Sequence, residues 1–385
     1  MRQPDRVDGV LLAAVLLLCL AGLVMVYSSS AILAQSEQLP ETEYLRSQTE
    51  KLVLGLALMF MLSRLPGHWF AARAAWGALG ISAALLMLLL LPTGLTVMVR
   101  GTRRFLQFGP VQTQPAEVAR LGIVLFLAWF CGRRPEWIRQ SWKSLIVPLA
   151  VIGILSMLIV LQPNLSSALL LGLLGFGVLF FSGQPLRRLA AVVLPLGLAA
   201  ALFVRGYQLE RLSSFWRVLF GDAGALPYQV KQSLIAIGSG GFHGAGIGRG
   251  LQKFHYLPFP FSDSILGIIG EETGFIGILA LYTLYGIVLL RGFRIARLAP
   301  DRFSGLLAAG LTMNVGLNVF LHSVVALGLG PVTGVPLPFV SHGGSSLLVN
   351  LAGMGILLSI SRRARPDLET AARTWKFAGS PLRNE

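Results

Sequence analysis

Ten stretches of this chain are apolar for long enough to approach or cross a hydrocarbon core of about 30 Å, and nothing else in the sequence limits the fold as much. They run over 10–34, 52–65, 74–91, 116–130, 145–161, 166–181, 189–204, 264–290, 303–328 and 340–360, the second being short. A backbone inside such a layer has no water to bond, so each stretch reads as helix. Charged residues make up 13% of the 385, about half the usual share of a soluble domain. The expected fold is therefore an all-α polytopic membrane protein of about ten transmembrane helices, one integral domain over 1–385. The first run follows MRQPDRVDG without a small-residue cleavage site and reads as a retained span.

The net charge of +15 would suggest nucleic acid if it formed a stripe on a soluble fold. Instead, the basic residues sit in short loops between apolar runs, which is how membrane topology is specified. With the N-terminus in the cytoplasm, that side carries Arg64 and Arg73, then Arg133, Arg134, Arg139 and Lys143, then Arg187 and Arg188. Arg291, Arg294, Arg297, Arg302 and a basic tail over 362–385 complete it. The first outer loop is acidic, with Glu37, Glu41, Glu43 and Glu50. Both termini are expected inside, with a long outer loop, 205–263, between spans seven and eight. No nucleic-acid partner is expected. Cys19 and Cys131 lie in or beside apolar runs and read as packing residues.

Most of the sequence complexity therefore falls on the outer face, and chemistry is expected there. In GTRRFLQFGPVQTQPAEVAR, Pro115 suits a first helical turn, and Glu117 and Arg120 share a helix face. A local ion pair explains that spacing, but ionisable groups at a membrane boundary usually face a polar cavity. Arg103 and Arg104 suit either a phosphate or a lipid headgroup. Asp263 opens the eighth span, where an N-cap is the bland role and a general base the chemical one. From it, Gly267, Gly270, Gly274 and Gly277 form a stripe that a helix or lipid chain could approach closely. Glu271 and Glu272 lie deeper in that span and need partners or water. Prolines and glycines break the helix across PVTGVPLPFVSHGGSSLLVN, where non-helical backbone needs protein or a wet cavity beside it. His342 there reads more readily as a hydrogen-bonding residue than as a catalyst.

These segments together resemble the SEDS family (shape, elongation, division and sporulation), whose members include FtsW and RodA. The resemblance extends from GLVMVYSSSA in the first span to PLPFVSHGGSSLLVN in the last. Its most specific pieces are GTRRFLQFGP with QPAEVAR, QSLIAIGSGGFHGAGIGRG with QKFHYLP, and SDSILGIIGEETGFIG. MVYSSSA and QKFHYLP look more like FtsW and PVTGVPLPFVS more like RodA, the balance leaning to FtsW.

The resemblance implies a peptidoglycan glycosyltransferase of the bacterial inner membrane, polymerising lipid II at its outer face for septal or lateral wall synthesis. It also implies a class B penicillin-binding transpeptidase as partner, among divisome or elongasome membrane proteins. The family's catalytic aspartate falls on Asp263, within Phe261-Ser262-Asp263. Its Gln-Pro-Ser-Glu-x-x-Lys pattern falls on Gln114, Pro115, Ala116, Glu117 and Arg120. Substrate-binding residues are expected among Arg103, Arg104, Glu117, Arg120, Gln252, Lys253, Ser341, His342, Gly343, Gly344 and Ser345, with a divalent cation (Mg or Mn) as a candidate cofactor. The sequence departs from the family pattern at Phe259 in place of a glutamate, at Asn164, at His342 in place of a tyrosine, and near Thr333, where the FtsW branch often has lysine. Two other functions fit the same residues. A lipid II flippase would use Glu117, Glu271 and Glu272 to couple ions to movement, and an inactive scaffold would only recruit the transpeptidase.

Overall fold

The computed structural model describes residues 7–364 apart from 92–93, 100–101, 110, 134, 193–205, 207–212, 218–219, 222–223 and 225. The chain is a multi-pass helical membrane protein. Its principal described helices are α1 (Gly9–Ser36), α2 (Glu43–Arg64), α3 (Ala72–Leu90), α4 (Pro115–Arg133), the short α5 (Pro135–Gln140), α6 (Ile146–Val160) and α7 (Leu165–Phe181). After them come α8 (Tyr228–Gly240), α9 (Ile265–Arg297), α10 (Arg302–Ala326) and α11 (Gly344–Ser361). Among the described residues seven helical segments are long and apolar enough to cross a membrane: α1, α3, α4, Trp142–Val160, α9, α10 and α11. α7 is apolar but shorter, and α2 starts with polar turns. The expected span over 189–204 lies almost wholly outside the described residues.

Local chemistry sets several of the helix starts. The Asp8 carboxylate accepts from Leu11 N at 3.0 Å to open α1, and Asp301 accepts from Ser304 N at 2.9 Å to open α10. Pro115 occupies the first position of α4, where its missing N–H costs nothing. α4, α10 and α11 are buried on most sides and form the centre, while α1, α3 and α6 keep apolar faces outward. That outward apolarity is what a lipid-facing helix requires.

One departure from the expected all-α fold is a three-stranded antiparallel sheet between α3 and α4. It comprises β1 (Thr96–Val99), β2 (Thr102–Phe108) and β3 (Val111–Thr113), in the order β1-β2-β3. Leu106, paired with both Thr96 and Thr113, is fully buried beneath it. Gly109 makes the β2–β3 turn at φ 58°, a conformation glycine adopts without penalty. The sheet is short and lies between two spans, so the long apolar runs on either side obscured it.

The bundle is tied at two levels. At the basic end Arg291 Nη2 pairs with Asp8 Oδ2 at 2.7 Å, and Asp8 N donates to Ser361 Oγ. At the opposite end Ser28 Oγ donates to both Glu272 oxygens, at 2.6 and 2.8 Å. Along α1 from Asp8 to Ser28, and along α9 from Arg291 to Glu272, the helical rise is about 30 Å. That is the thickness of a hydrocarbon core. Polar groups thus stand about one hydrocarbon thickness apart at opposite ends of the bundle.

α9 is broken just past Glu272. Gly274 has φ 65° and ψ −164°, a region open essentially to glycine alone. The 241–246 loop after α8 supplies the missing partners. Ala245 N and Gly246 N donate to the carbonyls of Glu271 and Glu272, and Phe275 N and Ile276 N donate to those of Gly241 and Phe242. The approach is so close that a Cβ on Gly240 would fall 2.0 Å from Gly270 O. Of the two occupants expected for the glycine stripe, a helix or a lipid chain, it is protein that fills it, Gly267 facing Ser233 and Leu257 and Gly270 facing Ile237. Small residues on both surfaces make that packing possible.

Gly274→Ala should therefore cost about 1–3 kcal/mol or more of stability, read as a lower thermal midpoint in detergent. Gly286→Ala, where nothing lies within 4 Å of the added carbon, should leave the midpoint unchanged or raise it. Equal effects at the two positions would contradict this account of the break.

Candidate active site

Asp263 ends the turn that leads into α9 and is half-buried. The cap position of α9 belongs to Ser264, so the N-cap role expected as the bland reading of Asp263 is not the one it takes. Ser264 Oγ donates back to Pro258 O at 2.8 Å and accepts from Gln229 Nε2 at 3.0 Å, which fixes the turn from below. The Asp263 carboxylate lies beside the 327–343 segment, where a Cβ on Gly334 would stand 3.4 Å from Oδ2.

That segment is pinned to the Asp263 turn by two hydrogen bonds. Ser341 Oγ donates to Ser262 O at 2.8 Å while accepting from Leu337 N at 2.9 Å, and His342 N donates to Phe261 O at 2.8 Å. Tyr285 OH donates to Pro338 O, and His322 Nδ1 meets Val335 O at 2.9 Å. Both therefore hold the segment from α9 and α10. Irregular backbone at this depth survives only when protein satisfies it in this way. The Phe261 ring contacts Tyr44 at 4.7 Å and His342 at 5.6 Å between centroids. Burial, followed by the Lys51 ammonium, pushes the His342 imidazole down to about 4, so it is neutral at pH 7. His342 and Ser341 are positioning residues for the turn that carries Asp263.

Glu117 and Arg120 form the expected pair, Arg120 Nη2 standing 3.3 Å from Glu117 Oε1, both almost fully buried. The sequence did not show what surrounds them. Arg120 Nη1 donates to Asn318 Oδ1 at 2.6 Å, Asn318 Nδ2 to Asn314 O, and Asn314 Nδ2 to Asn350 Oδ1 at 3.3 Å. Asn350 Nδ2 returns to Ser346 O at 2.8 Å, and the hydroxyls of Ser345 and Ser346 lie against the Glu117 carboxylate. This polar ring links α4, α10 and α11 below the site. A small cavity lined by Arg120, Asn314 and Asn350 opens from it. Gly343 occupies the N-cap position of α11, and Gly344 packs against the Lys51 side chain.

The remaining candidates divide. Arg104, on β2, donates from Nη2 to Pro163 O at 2.6 Å, so the sheet is anchored to the Gln162-Pro163-Asn164 turn. The side chain of Arg103 lies outside the described residues. Lys253 is a correction to the expectation of a substrate-facing cation. Its ammonium is buried 2.8 Å from Glu272 Oε1, with Ser28 Oγ at 3.4 Å. Gln252 contributes its backbone N–H to Glu271 at 3.1–3.2 Å, beside Leu251 N at 2.7 Å. Glu271 and Glu272 thus have the partners their depth demands, and they lock the 241–253 loop to the broken helix. No group of three or more His, Cys, Asp or Glu side chains gathers among the described residues.

The chain matches the FtsW, RodA and SpoVE family, described as cell cycle proteins, over residues 9–366. It is 31% identical to a probable peptidoglycan glycosyltransferase FtsW of Geobacter sp. (strain M18), covering 94% of this chain and 99% of that one. Identity to a protein of the same description from Alkalilimnicola ehrlichii is 35%, over 94% and 90%. Among solved structures, a peptidoglycan synthase complex that coordinates polymerization and crosslinking contains a chain with TM-score 0.75 and 30% identity, covering 94% and 99%. The rod shape determining protein RodA of Thermus thermophilus gives TM-score 0.68 and 29% identity, over 94% and 98%.

The buried pair makes a prediction that separates a lock from a ligand site. Lys253→Met should destabilise the protein by about 3–5 kcal/mol, because Glu272 is left charged and unpaired. Adding Glu272→Leu should restore much of that loss in the thermal midpoint. A single Lys253→Met variant as stable as wild type would show that the ammonium is not committed to the pair.

Proposed function

Because the chain belongs to the FtsW, RodA and SpoVE family of cell cycle proteins, we propose that it is a peptidoglycan glycosyltransferase whose general base is Asp263. The substrate is lipid II, a disaccharide-peptide carried on undecaprenyl pyrophosphate, and the work is done at the outer face of the bacterial inner membrane. Ten spans with both termini in the cytoplasm accommodate the described helices, which gather Asp8, Arg291 and Arg302 at one end.

The observation that carries the reading is the setting of Asp263, a half-buried carboxylate on a turn bonded through Ser341 and His342 to the non-helical segment that opens α11. α11 runs from there to Ser361 beside Asp8, so Asp263 lies toward the end of the bundle opposite the basic one. A carboxylate there can meet the sugar and pyrophosphate of a donor whose lipid tail stays in the bilayer. In the reaction the Asp263 carboxylate accepts the proton of the acceptor's GlcNAc 4-hydroxyl. The freed oxygen attacks C1 of the donor MurNAc, the C1–O bond to the pyrophosphate breaks with inversion, and undecaprenyl pyrophosphate leaves. Ser341 and His342 hold the turn so that the base meets the acceptor without reorganisation. A divalent cation such as Mg or Mn would take most of its oxygen ligands from the pyrophosphate and water, since the described residues gather no ligand cluster of their own. A class B penicillin-binding transpeptidase is the expected partner for crosslinking the product.

The transporter alternative needs intramembrane carboxylates that exchange ions. Glu117 is paired with Arg120, Glu271 accepts three hydrogen bonds from two backbone N–H groups, and Glu272 is paired with Lys253 and Ser28, so all three are engaged within the protein.

Asp263→Asn keeps the side chain's size and should lower polymerisation of lipid II about 10²–10⁴-fold, measured as a glycan ladder from proteoliposomes, with an unchanged thermal midpoint. A normal ladder from that variant would end the general-base assignment, and lipid II crossing the bilayer with no ladder would favour the transporter. Ser341→Ala should leave the fold intact and lower the turnover rate with little change in the KM for lipid II.

A further inference from the structure

One face of α2 meets the site, and its last member carries a charge. Tyr44, Gln48 and Lys51 are spaced four and three apart and so lie in one row along the helix. Each contacts the segment pinned to the Asp263 turn. Tyr44 lies edge-on to the His342 ring at 5.7 Å, and Gln48 Nε2 donates to Ser341 O at 3.3 Å. The Lys51 side chain runs against Gly344, where an added Cβ would meet Cδ and Cε at 3.1 Å and Nζ at 3.4 Å. Its charge is felt at the His342 ring.

The basic groups around this end of the bundle differ in what they already hold. Arg120 is tied to Glu117 and Asn318, Lys253 to Glu272, and Arg104 reaches Pro163. The Lys51 ammonium is part-buried and donates to the neutral Ser47 hydroxyl at 2.8 Å. Among the described residues no carboxylate lies within ion-pair distance of it, and neighbouring Glu50 pairs with Arg46 on the exposed side. A partly desolvated ammonium whose direct partner is a hydroxyl, with Glu50 acting on it only from beyond ion-pair distance, gains most from an anion.

We infer that Lys51 binds the pyrophosphate of the lipid-linked donor and stabilises it as leaving group. The inference rests on the glycosyltransferase reading and extends it to a residue that no part of that reading uses. As the C1–O bond breaks, its electron pair passes to the pyrophosphate oxygen, and Lys51 supplies compensating positive charge without transferring a proton. The segment 341–344 separates the two groups, its Ser341 and His342 bonded to the Asp263 turn and its Gly344 covered by Lys51. A donor lying across it would present its sugar to one and its phosphates to the other.

Binding of undecaprenyl pyrophosphate and of undecaprenol to the purified protein in nanodiscs, followed by native mass spectrometry, tests this directly. Lys51→Met should weaken undecaprenyl pyrophosphate about tenfold to a hundredfold and leave undecaprenol unchanged. Lys51→Arg should restore binding, and Lys51→Gln serves if the methionine variant does not fold. In the glycan-ladder assay Lys51→Met should lose polymerisation that Lys51→Arg recovers. Undecaprenyl pyrophosphate bound equally by wild type, Lys51→Met and Lys51→Gln would overturn the inference, as would equal weakening of undecaprenol. Failure of the wild type to polymerise lipid II, with the charge-dependent binding intact, would remove the glycosyltransferase reading and not the pyrophosphate site.

Discussion

At Gly274 the backbone of α9 leaves helical geometry next to the outer edge of the hydrocarbon, and the peptide groups freed there have little water to turn to. Four backbone hydrogen bonds exchanged with residues 241–246 satisfy donors and acceptors on both sides of the break. The bonds can form only because Gly240, Gly244, Gly270 and Gly274 let the two chains approach within reach. Glu271 and Glu272, at the same level, close the junction by holding the amides of residues 251–252 and the Lys253 ammonium. The long outer loop is thus built into the wall of the bundle.

The position of Asp263 follows from that junction. The first turns of α9 are clamped by α8 on one side and by the 327–343 segment on the other. The aspartate at their tip is held against that segment, which Tyr285 and His322 tie in turn to α9 and α10. The polar ring of Glu117, Arg120, Asn318, Asn314, Asn350 and Ser346 lies beneath and ties three central helices without exposing a charge to lipid. Because each of its members is shared between helices, the ring also fixes how α11, and with it Gly344, sits against α2.

Much of the helical frame was legible because long apolar runs in a membrane have one solution for their backbone. The expected run 303–328 became Arg302–Ala326, and 340–360 became Gly344–Ser361, shortened where the Pro/Gly-rich segment cannot be helical. The sheet at Thr96–Thr113 was missed because its strands are short and lie against two strong helical signals. Asp263, Glu117 and Arg120 could be singled out as ionisable groups at a boundary. Lys253 was misread because pairing with Glu272 depends on a loop folding back onto a broken helix, a contact that residue spacing does not encode. The glycine stripe was legible as a close-packing surface for a helix or a lipid chain, and α8 is what covers it. The row Tyr44, Gln48 and Lys51 precedes the apolar run 52–65, in what reads as an acidic outer loop, and it becomes a helix face only because α2 begins at Glu43.

The central claim is that the sugar of a membrane-anchored donor is bound over the Asp263 turn and the 334–344 segment bonded to it. A lipid II analogue carrying a diazirine on its MurNAc, irradiated with the protein in nanodiscs and mapped by mass spectrometry, measures this most directly. Label is predicted on residues 261–263 and 332–344, competed away by unmodified lipid II. Label confined to the basic end near Arg139 and Arg302, or to the outward faces of α3 and α6, would contradict the account.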